Sequence, residues 1–198
     1  MRRMLDICSG LGGASQAFHD HPDWEVHRIE NNLLLKDVPG TTLIDVFEWD
    51  YKREIPRGYY DLIWASPPCT EFSNAYGAPG PTAIRENRAF SPDLGIAKKC
   101  LEIIEYFDPG YWVLENVQGS SKILSQLIGK PPRQIVGPFY LWGVFPFLSM
   151  SSNYKHSKYE DDTWSSDPLR ANKRGMVPFE VSNELLNSIM SPTLGEWY

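Results

Sequence analysis

Near the amino terminus stands the sequence Met4-Leu-Asp-Ile-Cys-Ser-Gly-Leu-Gly-Gly13. Its first half, Met4 to Cys8, is mostly apolar and predicts a buried strand, whereas the glycines that follow predict a sharp turn. We expect a short helix from Ala14 that stops before Pro22, and then a second strand over Trp24 to Glu30. This order of strand, glycine turn, helix and strand is typical of α/β proteins that bind a ligand at the turn.

The rest of the chain continues the alternation of short apolar strands and helices. Further strands are predicted at Thr42–Val46, Asp61–Ala65, Tyr111–Leu114 and Ile135–Pro146, the last with a turn at Trp142-Gly143. Further helices are predicted from Ser91-Pro92-Asp93 to Phe107, at Ser120–Leu127 and at Phe179–Met190. The polar stretch Ser151–Lys173 is predicted to be a long surface loop. This alternation predicts an α/β fold whose mostly parallel sheet is flanked by helices.

Composition narrows the class of protein. A length of 198 residues suits one domain, and a formal charge of −6 excludes a strongly basic coat for nucleic acid. The three cysteines are odd in number and form no Cys-x-x-Cys pair, so we predict neither a disulfide framework nor a metal site. No apolar run is long enough to cross a bilayer. We therefore expect a soluble, intracellular, cytoplasmic protein with no membrane partner.

The glycine turn predicts a site for a nucleoside-bearing cofactor. Glu30 ends the second strand, where a carboxylate is placed to accept hydrogen bonds from two ribose hydroxyls, and Asp45 ends the third, where it is placed to meet an adenine amino group. A nicotinamide site has the same pattern of glycines and a later acid, and a turn needed only for packing is a third interpretation. A phosphate loop is excluded, because no Gly-Lys-Ser/Thr follows.

A second motif carries the chemistry. The apolar strand from Asp61 runs into Ser66-Pro-Pro-Cys-Thr-Glu-Phe-Ser73, in which two prolines fix the backbone and aim Cys69 at the carboxyl edge of the sheet. A free cysteine is most often a small buried hydrophobe, and we interpret Cys8 and Cys100 in that way. For Cys69 the rigid turn favours a nucleophile.

A carboxylate follows on the next strand. Glu115 stands directly after the predicted strand Tyr111–Leu114, where apolar surroundings would keep it protonated and let it act as an acid. A helix cap or a ribose ligand is the alternative interpretation. The position of Glu115 one strand beyond the Cys69 turn favours the acid.

Three segments together resemble a known family. The segments Asp6–Gly13, Ser66–Ser73 and Glu115-Asn-Val117 are similar, in order and spacing, to motifs I, IV and VI of the cytosine-C5 DNA methyltransferases. The similarity covers roughly residues 4–118. It implies a Rossmann-like, S-adenosylmethionine-dependent methyltransferase fold, and a compact phage- or virus-type member of the family is one interpretation.

The resemblance also implies roles for individual residues. Cys69 would add to C6 of cytosine and Glu115 would protonate N3, with the target base flipped out of a duplex or already single-stranded. The stretch Asn74–Phe90 would be the mobile loop that closes over the base. Nine residues would bind S-adenosylmethionine: Cys8, Ser9, Gly10, Leu11, Gly13, Glu30, Asp45, Val46 and Pro68. Four would bind the substrate: Ser73, Arg85, Arg88 and Asn116.

The chain departs from the family pattern in three places. Nothing matches the Gln-x-Arg-x-Arg element, whose arginine helps to hold cytosine; Tyr140–Pro146 is the nearest stretch, and Arg133 is a candidate replacement. Arg174-Gly175 replaces the Gly-Asn of the last motif, which removes an expected cofactor contact. Only about Phe147 to Lys173 stands where the family carries a large target-recognition domain.

These observations leave three hypotheses. The leading one is a single catalytic domain over 1–198 that methylates cytosine in DNA, with 147–173 as a loop or reduced recognition insert and 174–198 as a helix packing back on the sheet. The second keeps the chemistry but acts on RNA or a free cytosine nucleotide. The third is a cofactor-binding subunit that needs a separate recognition partner. A homodimer is compatible with the first.

Overall fold

The computed structural model describes residues 1–73, 76–150 and 166–191, and a mixed sheet lies at the centre of this part of the chain. Its strands are β1 Arg2–Ile7, β2 Trp24–Glu30, β3 Thr41–Leu43, β4 Leu62–Ala65, β5 Tyr111–Asn116, β6 Gln134–Val136 and β7 Phe139–Val144. The helices are α1 Gln16–His19, α2 Tyr51–Glu54, α3 Pro79–Arg85, α4 Gly95–Phe107, α5 Ser121–Ile128, α6 Arg170–Gly175 and α7 Phe179–Met190. Single 3₁₀ turns lie at Gly13–Ser15, Leu33–Leu35, Thr70–Phe72 and Gln118–Ser120.

The sheet has seven strands in the order β3-β2-β1-β4-β5-β7-β6. The first five in this order run parallel, whereas β7 is antiparallel to both β5 and β6. The carboxyl ends of β1, β2, β4 and β5 therefore meet at one edge, which is where open α/β sheets bind ligands. The predicted Rossmann-like fold with a mostly parallel sheet is confirmed.

Helices cover both faces of the sheet. In β1, Met4 packs on the side of α1 and α7, and Leu5 packs on the side of α4, because successive strand residues point to opposite faces. A strand that is covered on both faces must be apolar at nearly every position. This explains why all four residues of β4 are buried.

Two predictions about element positions are wrong. The helix predicted from Ser91-Pro92-Asp93 begins at Gly95, because the Asp93 carboxylate accepts a hydrogen bond from the Gly95 amide at 2.7 Å and forms a turn ahead of the helix. The predicted turn at Trp142-Gly143 lies inside β7, and the chain instead turns between β6 and β7. Gly143 is needed for another reason: a Cβ there would overlap with the Trp112 carbonyl on β5.

Other predicted boundaries change in ways that affect the site. The strand predicted to end at Leu114 includes Glu115 and Asn116, since both pair with β7. The predicted third strand ends at Leu43, so that Asp45 lies beyond it. The predicted loop Asn74–Phe90 contains α3. Of the predicted loop 151–173, residues 151–165 lie outside the described residues, as do 74–75 and 192–198, while α6 begins at Arg170.

Candidate active site

A cavity of about 410 Å³ opens at the carboxyl edge of the sheet. The glycine turn after β1, the end of β2, the segment after β3, the Pro-Pro-Cys turn after β4 and the end of β5 all contribute to its lining. It brings together eleven of the residues singled out from the sequence: Cys8, Ser9, Gly10, Leu11, Gly13, Glu30, Asp45, Val46, Pro68, Cys69 and Glu115.

The Glu30 carboxylate binds the backbone of the glycine turn. Its Oε2 accepts a hydrogen bond from the Gly10 amide at 2.8 Å, and its Oε1 accepts from the amides of Asn31 and Asn32 at 3.0 and 2.9 Å. Gly10 has φ of +54°, a conformation that glycine adopts at little cost. The hydroxyl of Ser9 is buried at the cavity and has no hydrogen-bond partner among the described residues.

A polar network lies beneath this turn. The Ser15 hydroxyl donates to Asp6 Oδ2 at 2.6 Å and accepts from Arg28 Nε at 2.8 Å. Burial raises the pKa of Asp6 to about 6, against the opposing effects of Ser15 and Arg28. A Cβ on Gly12 would lie 2.7 Å from Arg28 Nε, so glycine is required there. Sequence reasoning missed Ser15 and Arg28, although an arginine in an apolar strand was an available signal.

Asn116 holds the Pro-Pro-Cys turn in place. Its Nδ2 donates to the Pro67 carbonyl at 2.9 Å, and its Oδ1 accepts from the Val117 amide at 2.9 Å. Asn116 is 1% exposed, so its amide group is committed within the protein. It therefore positions the turn that carries Cys69, rather than reaching toward the substrate as the resemblance implied.

Cys69 and Glu115 influence each other's protonation. Burial raises the pKa of Glu115 from 4.5 to about 7, and a hydrogen bond with Ser66 opposes this rise. Trp64 Nε1 donates to Ser66 Oγ at 2.8 Å, which orients that hydroxyl. Burial raises the pKa of the Cys69 thiol, and the negative charge of Glu115 raises it further. A Glu115 carboxylate and a Cys69 thiolate therefore disfavour each other, because both would be negative charges at the same cavity.

All four predicted substrate residues lie outside the cavity lining: Ser73, Arg85, Arg88 and Asn116. The Arg85 guanidinium lies 3.8 Å from the centre of the exposed Tyr76 ring, and Arg88 pairs with Glu86 at 2.7 Å.

Arg133, the candidate for holding the base, lies away from the cavity. Its guanidinium stacks on the rings of Phe145 and Phe147, and it lines a separate pocket next to Tyr111, where β5 begins. Glu115 lies near the opposite end of that strand. The suggestion that Arg133 holds the base is therefore wrong.

The segment around α6 supplies lining residues that sequence reasoning missed. Asn172 and Arg174 line the cavity, and the segment continues into Met176 and Val177. A Cβ on Gly13 would overlap with the Val177 carbonyl, so this segment packs directly on the glycine turn. The residues of α6 are polar and have no apolar period, which is why the sequence predicted a loop.

No helix within residues 1–73, 76–150 and 166–191 is long and apolar enough to span a membrane. No group of three or more His, Cys, Asp or Glu side chains within them is arranged to hold a metal ion.

Comparison with known proteins agrees with the motifs. A Frog virus 3 protein named "Probable DNA (cytosine-5)-methyltransferase" is 30% identical over 120 residues, which cover 58% of this chain and 53% of the viral protein. This chain thus corresponds to about half the length of that relative. A prophage-encoded protein from E. coli, described as a DNA modification methyltransferase, matches over 65% of this chain and 36% of its own, with 18% identity and a TM-score of 0.43.

The family comparison covers most of the sheet. The model of the C-5 cytosine-specific DNA methylases matches residues 2–125, which is more than half of the chain. The matched range includes the glycine turn, the Pro-Pro-Cys turn and Glu115. The chain belongs to the C-5 cytosine-specific DNA methylase family.

Proposed function

We propose that this chain methylates C5 of cytosine in DNA through a covalent bond between Cys69 and C6, with S-adenosylmethionine as the methyl donor. The observation that carries the proposal is that Cys69 and a buried Glu115 line one cavity at the carboxyl edge of the sheet. Family membership and the name of the Frog virus 3 relative support DNA as the substrate. We treat residues 1–198 as one catalytic domain, with 147–173 as a loop or reduced recognition insert.

The residues of the glycine turn fit the proposed cofactor. Among the described residues, the buried Ser9 Oγ has no hydrogen-bond partner, and Glu30 Oε2 accepts a single hydrogen bond, from the Gly10 amide. Both atoms have capacity left for the polar groups of a nucleoside. We assign binding to Cys8, Ser9, Gly10, Leu11, Gly13, Glu30, Asp45, Val46 and Pro68. When bound, S-adenosylmethionine supplies a methyl group that is activated for transfer to carbon.

The remaining chemistry belongs to Cys69 and Glu115. The Cys69 thiolate adds to C6 of cytosine, and protonated Glu115 donates its proton to N3, so that negative charge does not build up on the ring. This makes C5 nucleophilic, and C5 takes the methyl group. Loss of the C5 proton to solvent, expulsion of the Cys69 thiolate and return of the N3 proton to the Glu115 carboxylate then restore the neutral aromatic base.

The protonation state of Glu115 affects how readily Cys69 forms a thiolate. A Glu115 carboxylate would oppose formation of the Cys69 thiolate, since both charges would lie in one partly dry cavity. Protonated Glu115 removes that repulsion. The base must reach this cavity, so we propose a flipped-out or single-stranded cytosine. Arg85 and Arg88 lie outside the cavity, and we assign them, with Ser73, to the strand that flanks the target.

The test is transfer of radiolabelled methyl from S-adenosylmethionine to duplex DNA, single-stranded DNA, tRNA and deoxycytidine nucleotides, offered in parallel. We expect label in DNA cytosine. Label only in tRNA or in nucleotides would show that RNA or a free nucleotide, rather than DNA, is the substrate. Cofactor binding without label in any pool would favour a subunit that needs a recognition partner or a second copy of the chain.

A variant and a substrate analogue test the covalent step. Cys69→Ser should abolish turnover and leave cofactor affinity within a few-fold of the parent. DNA that contains 5-fluorocytosine should trap a covalent complex with the parent chain, because fluorine does not leave as a proton does. Active turnover without any adduct would refute attack at C6.

A further inference from the structure

The charges around the cavity are unevenly distributed. Three acidic side chains line it: Glu30, Asp45 and Glu115. Among the described residues of the lining, Arg174 is the one side chain that carries a positive charge. Glu30 and Asp45 are unfavourable neighbours for an anionic group, whereas Arg174 attracts one.

Arg174 is available for a ligand. The side chain is half-buried, and its guanidinium has no hydrogen-bond or ion-pair partner within residues 1–73, 76–150 and 166–191. Its neighbour Lys173 instead pairs with Asp167 and does not line the cavity. Two adjacent cations on α6 therefore differ in their surroundings, and only Arg174 borders the cavity.

The segment that carries Arg174 lies on the glycine turn. The Asn172 amide nitrogen is 3.7 Å from the position that a Cβ on Gly10 would occupy, and Met176 Cγ is 2.7 Å from the corresponding position on Gly13. Arg174 stands between these two contacts in the chain. Glu30 ends β2 and Asp45 follows β3, and both strands lie on the other side of β1 from β4 and β5.

The charges of S-adenosylmethionine match this distribution. At neutral pH the molecule has a sulfonium and an ammonium, which are positive, and one anionic group, the carboxylate of its methionine part. The positive groups and the ribose hydroxyls are compatible with acidic neighbours, whereas the carboxylate is not. A guanidinium binds a carboxylate through two parallel hydrogen bonds.

We propose that Arg174 binds the carboxylate of the methionine part of S-adenosylmethionine and selects for ligands that carry it. This inference rests on the proposed function, since it takes S-adenosylmethionine as the ligand. It also assigns a role to Arg174, which stands where the chain departs from the Gly-Asn of the family's last motif. A DNA phosphate is the competing partner for this guanidinium.

The experiment measures binding by calorimetry without turnover: the ligand titrations are made in the absence of DNA, and duplex DNA is titrated separately. The ligands are S-adenosylmethionine and decarboxylated S-adenosylmethionine, and the proteins are the parent chain, Arg174→Gln and Lys173→Gln. Lys173→Gln is the matched control, because it removes the same charge from the same helix away from the cavity. For Arg174→Gln we expect about a tenfold loss of affinity for S-adenosylmethionine and unchanged affinity for the decarboxylated ligand. Lys173→Gln should leave both affinities near those of the parent.

The other outcomes have separate meanings. Three results would overturn the role of Arg174 and leave the proposed function intact. In Arg174→Gln, the affinity could fall equally for both ligands or for neither. Alternatively, Lys173→Gln could show the same loss of affinity as Arg174→Gln. A weaker affinity for DNA in Arg174→Gln, with unchanged ligand preference, would identify the phosphate as its partner and also overturn the proposal. Failure of the parent chain to bind S-adenosylmethionine would overturn the proposed function itself. Binding of the decarboxylated ligand by Arg174→Gln shows that the variant is folded.

Discussion

Replacing Glu115 by glutamine should stabilise the folded chain at alkaline pH while it removes activity. Burial raises the pKa of this carboxyl from 4.5 to about 7. The folded state therefore holds the proton more tightly than the unfolded state. The carboxyl contributes most to folding below pH 4.5, and this contribution is lost as the pH rises toward 7. Above that range the parent chain must bury a carboxylate, whereas the variant buries a neutral amide of the same shape.

The size of the expected change in the free energy of unfolding follows from these two pKa values of Glu115. One pKa unit corresponds to about 1.4 kcal/mol, so the full effect of raising the pKa of Glu115 is about 3 kcal/mol. Between about pH 5 and about pH 9 the expected change is about 2.5 kcal/mol, because the unfolded carboxyl is already partly ionised at the lower pH. Any constant cost of burying the glutamine amide cancels when the two pH values are compared.

The assay is urea unfolding of the parent and Glu115→Gln at these two pH values. The free energy of unfolding of the variant, relative to the parent, should rise by about 2.5 kcal/mol from the lower to the higher pH. Turnover should fall by about 100-fold or more, as for the loss of a general acid. A difference in stability that does not change with pH, or that changes in the opposite direction, would refute the burial argument for Glu115.

Two further predictions use the same structure. In Glu115→Gln the pKa of the Cys69 thiol should fall, because the charge that raises it is gone; the pH profile of iodoacetamide alkylation at Cys69 would then move to lower pH, and an unmoved profile would contradict the coupling. Gly13→Ala should weaken cofactor binding by about tenfold and lower stability by about 1–3 kcal/mol, because its Cβ would overlap with the Val177 carbonyl. Gly77→Ala is the control for calorimetry and urea unfolding, since nothing lies within 4 Å of a Cβ at Gly77.

The sequence correctly predicted strands and helices that are determined by the hydrophobic pattern of neighbouring residues. The strand Trp24–Glu30 and the helix Phe179–Met190 lie where the hydrophobic period put them. The meeting of reactive side chains at strand ends was also predictable, because parallel strands bring their carboxyl ends to one edge of the sheet. For this reason the sequence alone predicts that the glycine turn, Cys69 and Glu115 share a site.

Errors arose where contacts between distant segments override a local signal. Gly143 resembles a turn residue in sequence, yet it is a strand residue that lets β7 approach the Trp112 carbonyl. Asn116 resembles a substrate ligand, yet its amide is used to hold the Pro67 carbonyl. Both partners lie in other parts of the chain, so neither role has a signal near the residue itself.

The sequence by itself determined the class of fold, the order of the strands along the chain and the two groups proposed for the chemistry, because periodicity, glycines and prolines act on neighbouring residues. Only the tertiary structure decided what surrounds those groups. The burial that raises the pKa of Glu115, the Arg28 network beneath the turn and the position of Arg174 at the cavity all depend on packing between segments far apart in the chain. Protonation and the proposed ligand selectivity follow from that packing, since both depend on the local dielectric and on which charges come close together.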